Sequence, residues 1–465
     1  MGFHADICRG IRRLTEAGAV TIISHIDADG IASEAILSES CSRAGIPNRS
    51  VFIRQLEPLT IGLVPRDGSL KVFTDLGAGQ QQLLAENGFS EDEVLIIDHH
   101  VSQEGDIPYL QVNCLPHGYG KMSAAGVSYF IAKGMDPKNT DLAKVAVVGN
   151  VGDMMAREDL GLVGPAREIV ADGERRGDIL VEGKNLNAYG ISTRPVHICL
   201  AYCDDPFIPG ISNNIQTALR FLENLGVPVR DHDGRWLVWE DLPRETRIQV
   251  ISALVEQLTS HGEPPDRLLA ETYTFPGEIS KSPVRNASEF ATVLNACGRW
   301  SKPAIGSAIC RGQRGEALRD AEHMLTNHRA VIRDLLQYIL ETGVVELSHL
   351  QYMHVGSRYP DTVVGIGAGM ALNRLNWEKP VLIMCDLPLE PAVTKISMRT
   401  NERMVRRGID LQQALTVASR EIGGAGGGHR IAAGAYIPKE REQWFVNRVN
   451  ELLSEQSPPP APGHC

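Results

Sequence analysis

The chain has 465 residues, is 22% charged and 43% hydrophobic, and carries a formal net charge of −11. That composition is globular; it excludes a disordered, collagen-like or disulfide-stapled chain and leaves room for two or three domains. The acidic field opposes a generic nucleic-acid coat protein, but not an enzyme that meets nucleic acid in one locally basic or metal-charged cleft. Aromatics are only 5%, so the cores must lean on Val, Ile, Leu and Ala, as in α/β proteins with aliphatic buried strands.

No segment approaches the roughly 20 apolar residues that span a bilayer, and the N-terminal MGFHADICRGIRRLTEAG is charged where a signal peptide is apolar. A cytoplasmic chain without membrane contact is expected. The nine cysteines are dispersed without CxxC spacing, which predicts reduced and mainly buried residues. Cys199 and Cys203 stand four apart, but two thiols alone make a poor zinc site.

In chain order, the first half repeats a unit of short aliphatic run, acidic or histidine residue, and helix-like stretch. The runs AVTIIS (19–24), KVFT (71–74), VLII (94–97) and VAVVGN (145–150) predict central strands of a parallel sheet. IASEAILSESCSRAG and GAGQQQLLAENG read as crossover helices ending on Gly, which completes a doubly wound α/β sheet with ligands at the carboxyl ends of its strands. From about 190 to 340 the pattern becomes mainly helical. Ile215, Leu219, Leu222 and Leu225 recur at helical spacing, as do Ile248, Ile251, Val255 and Leu258. TSHGEPPDR (259–267) interrupts this insert and AEHMLTNHRAVIRDLLQYIL ends it. Strand-like runs return after 345 with VVGI, VLIMC (381–385) and AVTKISMRT (392–400), and predict a second α/β unit. The expected division is therefore 1–190, an insert over 191–340, a C-terminal α/β domain over 341–455 and a disordered Pro-rich tail over 456–465.

Hard-metal donors cluster at the ends of the predicted strands. The first strand runs into SHIDADG, where His25, Asp27 and Asp29 alternate and would share one side of an extended backbone, with Gly30 for the turn. The second ends in Asp75, the third in Asp98, His99 and His100, and the fourth leads through GNVGD to Asp153. A single Asp at a strand end is ordinarily a helix N-cap. Capping accounts for the Asp residues but not for the histidines, and carboxylates with imidazoles and no thiolates favour Mn²⁺ or Mg²⁺ over structural zinc. The coincidence predicts a binuclear site.

HIDADG, Asp75, the DHH triplet 98–100 and GNVGD resemble, in order and spacing, the four motifs of the DHH phosphoesterase superfamily. GGGHRIAAG (426–434), preceded by SMR (397–399), resembles the glycine-rich signature of the DHHA1 domain, which marks the exonuclease and oligonucleotidase branch. STRPVHICLAYCDDPFIPGISNN (192–214), TYTFPGE (272–278) and EFATVLNACGRW (289–300) resemble segments of archaeal RecJ-like nucleases, including those that associate with the GINS replication complex. Bacterial RecJ enzymes tend to place an acidic residue where His25 stands; the HxDxDG form is common elsewhere in the superfamily.

The resemblance implies that His25, Asp27, Asp29, Asp75, His99 and Asp153 surround two Mn²⁺ or Mg²⁺ ions, with Asp75 bridging. Within the catalytic triplet Asp98, His99 and His100, it implies that Asp98 orients an imidazole and that His100 reaches the scissile phosphate. Arg399, Gly426, Gly427, Gly428 and His429 would bind the substrate, the glycine amides approaching an anion as only a side-chain-free backbone can. The implied function is metal-dependent removal of nucleoside monophosphates from one end, the 5′ end, of single-stranded DNA or RNA in replication or repair, with GINS and the replicative helicase as candidate partners. Two alternatives stay open: a phosphodiesterase for short oligonucleotides, phosphoadenosine phosphate or cyclic dinucleotides, and a replisome scaffold.

Overall fold

Three runs of five residues, buried at every position, form the centre of the first sheet: β1 (Val20–Ser24), β3 (Leu70–Thr74) and β4 (Val94–Asp98), flanked by β2 (Asn48–Phe52) and β5 (Leu110–Asn113). All four pairings are parallel and the order is β2-β1-β3-β4-β5. Strands covered on both faces need apolar residues at successive positions, which is why they read as continuous aliphatic runs. The order reverses between β1 and β3, so their carboxyl ends flank the crevice in which such sheets bind ligands. The computed structural model describes residues 2–58, 60–105, 109–387 and 392–456; of the tail expected over 456–465, all but Gln456 lies outside them.

The chain forms two units, Met1–Leu325 and Thr326–Cys465. In the first, α1 (Phe3–Thr15), α2 (Ala28–Arg43), α3 (Gln81–Glu86), α4 (Ala124–Met135), α5 (Ala143–Gly152) and α6 (Pro165–Arg176) accompany the sheet. The run VAVVGN is therefore part of α5 and not a fourth strand. It is aliphatic because α5 is buried around nearly its whole circumference, from Ala143 to Asn150. A short apolar run does not distinguish such a helix from a central strand.

An antiparallel ribbon, β6 (Leu180–Leu186) with β7 (Leu269–Thr274), brackets a helical section of α7 (Val196–Ala201), α8 (Ile215–Asn224) and α9 (Arg244–Ser260). This section has its own core, which includes Leu186, Leu222, Trp239, Leu254 and Leu268. The buried face of α9 is Val250, Leu254 and Leu258, and Ile248 is exposed; in α8 Ala218 and Leu222 face inward while Ile215 is exposed. The predicted stripes are thus only partly the buried faces: Leu222 and Leu258 are buried as expected, but each apolar arc is wider than the surface it covers and leaves Ile215 and Ile248 exposed. Helices α10 (Ala287–Arg299) and α11 (Pro303–Cys310) return to the core of the first sheet, and α12 (Glu316–Thr342) carries the chain past the division between the units.

The second unit has a mixed sheet of β8 (Val345–Glu346), β9 (Gln351–His354), β10 (Val381–Asp386), β11 (Val393–Arg399), β12 (Ala425–Gly428) and β13 (Ala432–Pro438), in the order β12-β13-β11-β10-β9-β8. Only β9 and β10 pair in parallel. Helices α13 (Asp361–Leu372), α14 (Glu402–Arg406), α15 (Leu411–Arg420) and α16 (Glu442–Gln456) complete it. VVGI, read as strand, lies in α13, whose one buried side is Val363, Val364, Gly367, Ala368, Ala371 and Leu372. The eight described cysteines are all free, and seven are buried. Burial pushes the Cys199 and Cys203 thiols up, away from the thiolate a metal needs.

Candidate metal centre

The carboxyl ends of β1, β3 and β4 and the C-terminus of α5 deliver eight of the predicted residues to one place. After Ser24 the chain does not continue extended. Asp27 caps α2, its Oδ1 accepting from Gly30 N at 2.9 Å, and Asp29 sits inside the first helical turn. There the buried Asp29 carboxylate accepts from Ala124 N (2.8 Å) and Ala125 N (3.0 Å), at the positive end of α4. Gly30 is required by close approach rather than by a turn, since a Cβ would stand 2.4 Å from the His25 carbonyl oxygen. Asp75 adopts φ of 60°, a left-handed conformation uncommon for a non-glycine residue and tolerated better by Asp than by bulkier residues. Asp153 closes α5 as its C-cap.

The donors fall into three overlapping sets, each with ligand atoms within 4.8 Å of one another: His25, Asp27 and Asp75; Asp29, His99 and Asp153; and Asp75, Asp98, His99 and His100, of which the first two have donors to spare for an ion. Asp75 faces both, with Oδ2 3.3 Å from His25 Nδ1 and Oδ1 3.4 Å from His99 Nε2. His99 Nε2 is 3.3 Å from Asp153 Oδ2, yet both atoms are buried without a hydrogen bond. Burial and the charges of Asp27 and Asp29 push the Asp75 carboxyl well above its ordinary value. Burial, with Asp27 adding, raises Asp29; burial and Asp29 push Asp153 up to about 8. Burial alone would lower the His25 imidazole, but Asp27 and Asp75 carry it up to about 11. Crowded carboxylates that hold protons, and orphaned donor atoms aimed at one another, are what two divalent cations would relieve; all-oxygen and imidazole donors fit Mn²⁺ or Mg²⁺.

Asp98 is different. It is fully buried, and its oxygens accept from Ala78 N (3.0 Å), His99 N (2.8 Å) and His100 Nδ1 (2.8 Å), with His100 N at 3.3 Å. Burial opposes its charge, but the His100 hydrogen bond outweighs that and holds Asp98 below the usual carboxylate range. Its lone pairs are engaged, so it orients the two histidines. The His100 ring stacks 4.2 Å from His99 and is largely exposed, with Nε2 left for a ligand.

Residues outside the sequence motifs hold the centre in shape. Asn295 of α10 accepts from Ala28 N at 2.9 Å, directly after Asp27. A Cβ on Gly298 of the same helix would stand 1.8 Å from the Ile26 carbonyl oxygen, so α10 lies flush against the His25–Asp27 loop. Gly149, within GNVGD, leaves room for Asp29: a Cβ there would meet Asp29 Oδ1 at 2.7 Å. The sequence signal for Asn295 and Gly298 was present in EFATVLNACGRW, as one amide and one glycine on an apolar helix, but the pairing partner stands 267 residues away.

The other predicted residues belong to the second unit. Arg399 ends β11, is half-buried, and would clash at 2.6 Å with any Cβ at Gly365. The GGGH segment is strand and turn: Gly426–Gly428 pair with β13, and His429 N donates to Ala432 O at 2.8 Å. Gly426 is demanded by packing, since a Cβ would meet Leu415 O at 2.7 Å, and Gly428 by φ of 130°; Gly427 alone faces open space. Room for an anion therefore explains only Gly427, and His429 is exposed. A separate donor cluster, His354, Asp386 and Glu442, lies in this unit. There Gly356 N donates to His354 Nδ1 (2.9 Å), His354 Nε2 lies 3.2 Å from Glu442 Oε1, and Lys439 Nζ sits on Asp386 (2.6 Å). That network is satisfied without an ion.

Residues 19–150 match the DHH family N-terminal domain, 188–269 the DHH-CID domain and 351–455 the DHHA1 domain. An uncharacterized protein of Methanocaldococcus jannaschii is 27% identical over 454 residues, 95% of each chain. The fold is similar to RecJ from Thermus thermophilus in complex with Mn²⁺, at a TM-score of 0.59 and 16% identity, over 98% of this chain and 55% of that one. The chain thus spans little more than half of that relative. It is also similar to CDC45 from Entamoeba histolytica, at a TM-score of 0.66 and 12% identity, over 97% and 98% of the two chains. With the three domains in order, the chain belongs to the DHH/DHHA1 superfamily, and its fold is RecJ-like.

Proposed function

We propose that the chain is a metal-dependent exonuclease that hydrolyses single-stranded DNA or RNA from the 5′ end to nucleoside monophosphates, in replication or repair. The observation that carries this reading is the pair of donor sets sharing Asp75, with orphaned His99 Nε2 and Asp153 Oδ2. His25, Asp27 and Asp75 would hold one divalent cation, and Asp29, His99, Asp153 and Asp75 the other. Two such ions supply a nucleophile at neutral pH and offset charge on the attacking and leaving oxygens. The α4 N-terminus fixes Asp29, and the left-handed Asp75 turns one oxygen toward each set. Asp98 holds the His100 Nδ1 proton and raises that ring's pKa, which favours an imidazolium that presents Nε2–H to a phosphate oxygen. Arg399 and the Gly427–His429 turn are the proposed substrate contacts of the second unit. Mn²⁺ in the RecJ relative supports the metal class, and the DHHA1 domain supports an oligonucleotide substrate over a small one.

The test is digestion of single-stranded DNA and RNA, labelled or blocked at each end, with Mn²⁺ or Mg²⁺. Wild type should release mononucleotides from a free 5′ end. Asp98→Ala should lose about 10–100-fold, the usual cost of removing a residue that orients a ligand, and Asp153→Ala more. No mononucleotide from any such substrate would sink the exonuclease reading. The scaffold alternative keeps some support from the CDC45-like fold. It is separated by asking whether Asp153→Ala still co-purifies with GINS and the helicase.

A further inference from the structure

In a chain of net charge −11, the second unit gathers arginines that lack acidic partners. Several other arginines of the chain are paired, as in Arg43–Asp141, Arg267–Asp205 and, within the same unit, Arg448–Glu421. Among the described residues, Arg374, Arg406 and Arg407 have exposed side chains without a hydrogen bond or ion pair, and the Arg403 guanidinium has only the Trp377 ring, 5.4 Å from its centroid. Trp377 is 41% exposed, large for an indole with no core to fill. It is held in place from behind: Asn401 donates through Nδ2 to Trp377 O (2.7 Å) while its Oδ1 accepts from Met404 N (3.0 Å) and caps α14. That ties the loop before β10 to the helix carrying Arg403 and Arg406. The same segment borders the glycine-rich turn, since Thr400 N donates to Ile431 O (3.0 Å) and Leu411 N to Arg430 O (3.1 Å). Arg430 itself is exposed and reaches Asp410 at 3.2 Å through one nitrogen, which leaves the rest of its guanidinium to solvent. Glu378 and Glu402 are the acidic groups on the Trp377 and α14 segments.

We propose that Trp377 and Arg403, with Arg374, Arg406, Arg407 and Arg430, form a binding track for single-stranded nucleic acid that continues from the GGGH turn. An exposed indole backed by a guanidinium is a platform on which any base can stack, and unpaired arginines beside it meet the phosphates. The proposal deepens the exonuclease reading and rests on it for the choice of ligand. It assigns the track a role in holding the chain beyond the terminal nucleotide, so that long substrates bind more tightly than short ones.

The test is fluorescence anisotropy of the full chain in EDTA, which prevents hydrolysis, using labelled dT and U oligomers of roughly 12 nucleotides and the matching dinucleotides. Trp377→Ala should reduce the preference for the long oligomer at least about fivefold, and Trp377→Phe should retain most of it. The pair Arg406→Glu and Arg407→Glu should weaken long-oligomer binding and flatten its salt dependence by about one unit of slope. Equal circular-dichroism spectra and Tm values establish that these surface variants are folded. The dT and U arms show whether DNA, RNA or both use the track. Unchanged long-oligomer affinity in Trp377→Ala and in the arginine pair overturns the track, as does equal affinity for polyglutamate or no binding by wild type. A chain that binds in this way but releases no mononucleotide sinks the exonuclease reading alone.

Discussion

Asp98 and Asp153 carry the same carboxyl group in opposite circumstances. Asp98 is surrounded by donors and held below its usual range, whereas Asp153 is pushed from 3.8 to about 8 by burial and by Asp29, and its buried Oδ2 has no hydrogen bond. Their amide variants should therefore diverge. Asp98→Asn keeps one acceptor oxygen but loses the charge and sets an NH₂ against either the Ala78 N–H or the His100 Nδ1–H, and should lower activity about 10–100-fold while leaving Mn²⁺ affinity nearly intact. Asp153→Asn removes a group that must take up a proton on folding, so near neutral pH it should raise the Tm of the metal-free protein by a few degrees and abolish tight Mn²⁺ binding by calorimetry. The same shift predicts a pH dependence. Between pH 3.8 and about 8 Asp153 holds a proton only when folded, so the folded state binds more protons and its stability falls as pH rises through that window. In EDTA the Tm should drop from about pH 5 to about pH 8, and Mn²⁺ should remove the drop; a metal-free Tm that rises over this range would refute the crowding argument.

Helix α10 acts as a strut between two parts of the first unit. At one end the buried Glu289 accepts from Ser192 N (2.8 Å) and from the Thr193 hydroxyl, which anchors the start of the helical section; at the other, Asn295 and Gly298 fix the His25–Asp27 loop. Asn295→Ala leaves the Ala28 N–H without its acceptor and should cost about 1–3 kcal/mol in urea unfolding. Gly298→Ala pushes the Ile26 carbonyl away and should weaken Mn²⁺ affinity more than it lowers stability; normal metal binding in both variants would make α10 mere packing. None of this was legible beforehand, whereas the strands were. Runs such as KVFT and VLII carry their own signal because both faces of a central strand are buried. VAVVGN carries the same signal for another reason, as a buried helix whose Gly149 and Gly152 let Asp29 and Ala28 come close. The candidate donor residues were legible because hydrophobic periodicity ends where they begin. Asp29 was expected on an extended chain because sequence does not reveal that α4 offers its N-terminus to that carboxylate.

A net charge of −11 opposes any extended nucleic-acid coat, so affinity must come from a few local charges, and their number sets the salt dependence. In the second unit Arg399 and the arginines around Trp377 would supply at most a handful of phosphate contacts. Each neutralised phosphate on a single strand contributes about −0.7 to the slope of log K against log salt. Wild type binding a dT oligomer in EDTA should therefore show a slope of about −2 to −4 between roughly 50 and 200 mM salt. Divalent cations are the largest charges the first unit would present to phosphate, so Ca²⁺ in place of EDTA should tighten binding of a 5′-phosphorylated oligomer more than of a 5′-hydroxyl one. Asp153→Asn should erase that difference while keeping the slope, because it removes a metal donor and leaves the arginines in place. A slope steeper than about −6 would mean that phosphate is read by a broad basic surface, which is inconsistent with the charge of this chain.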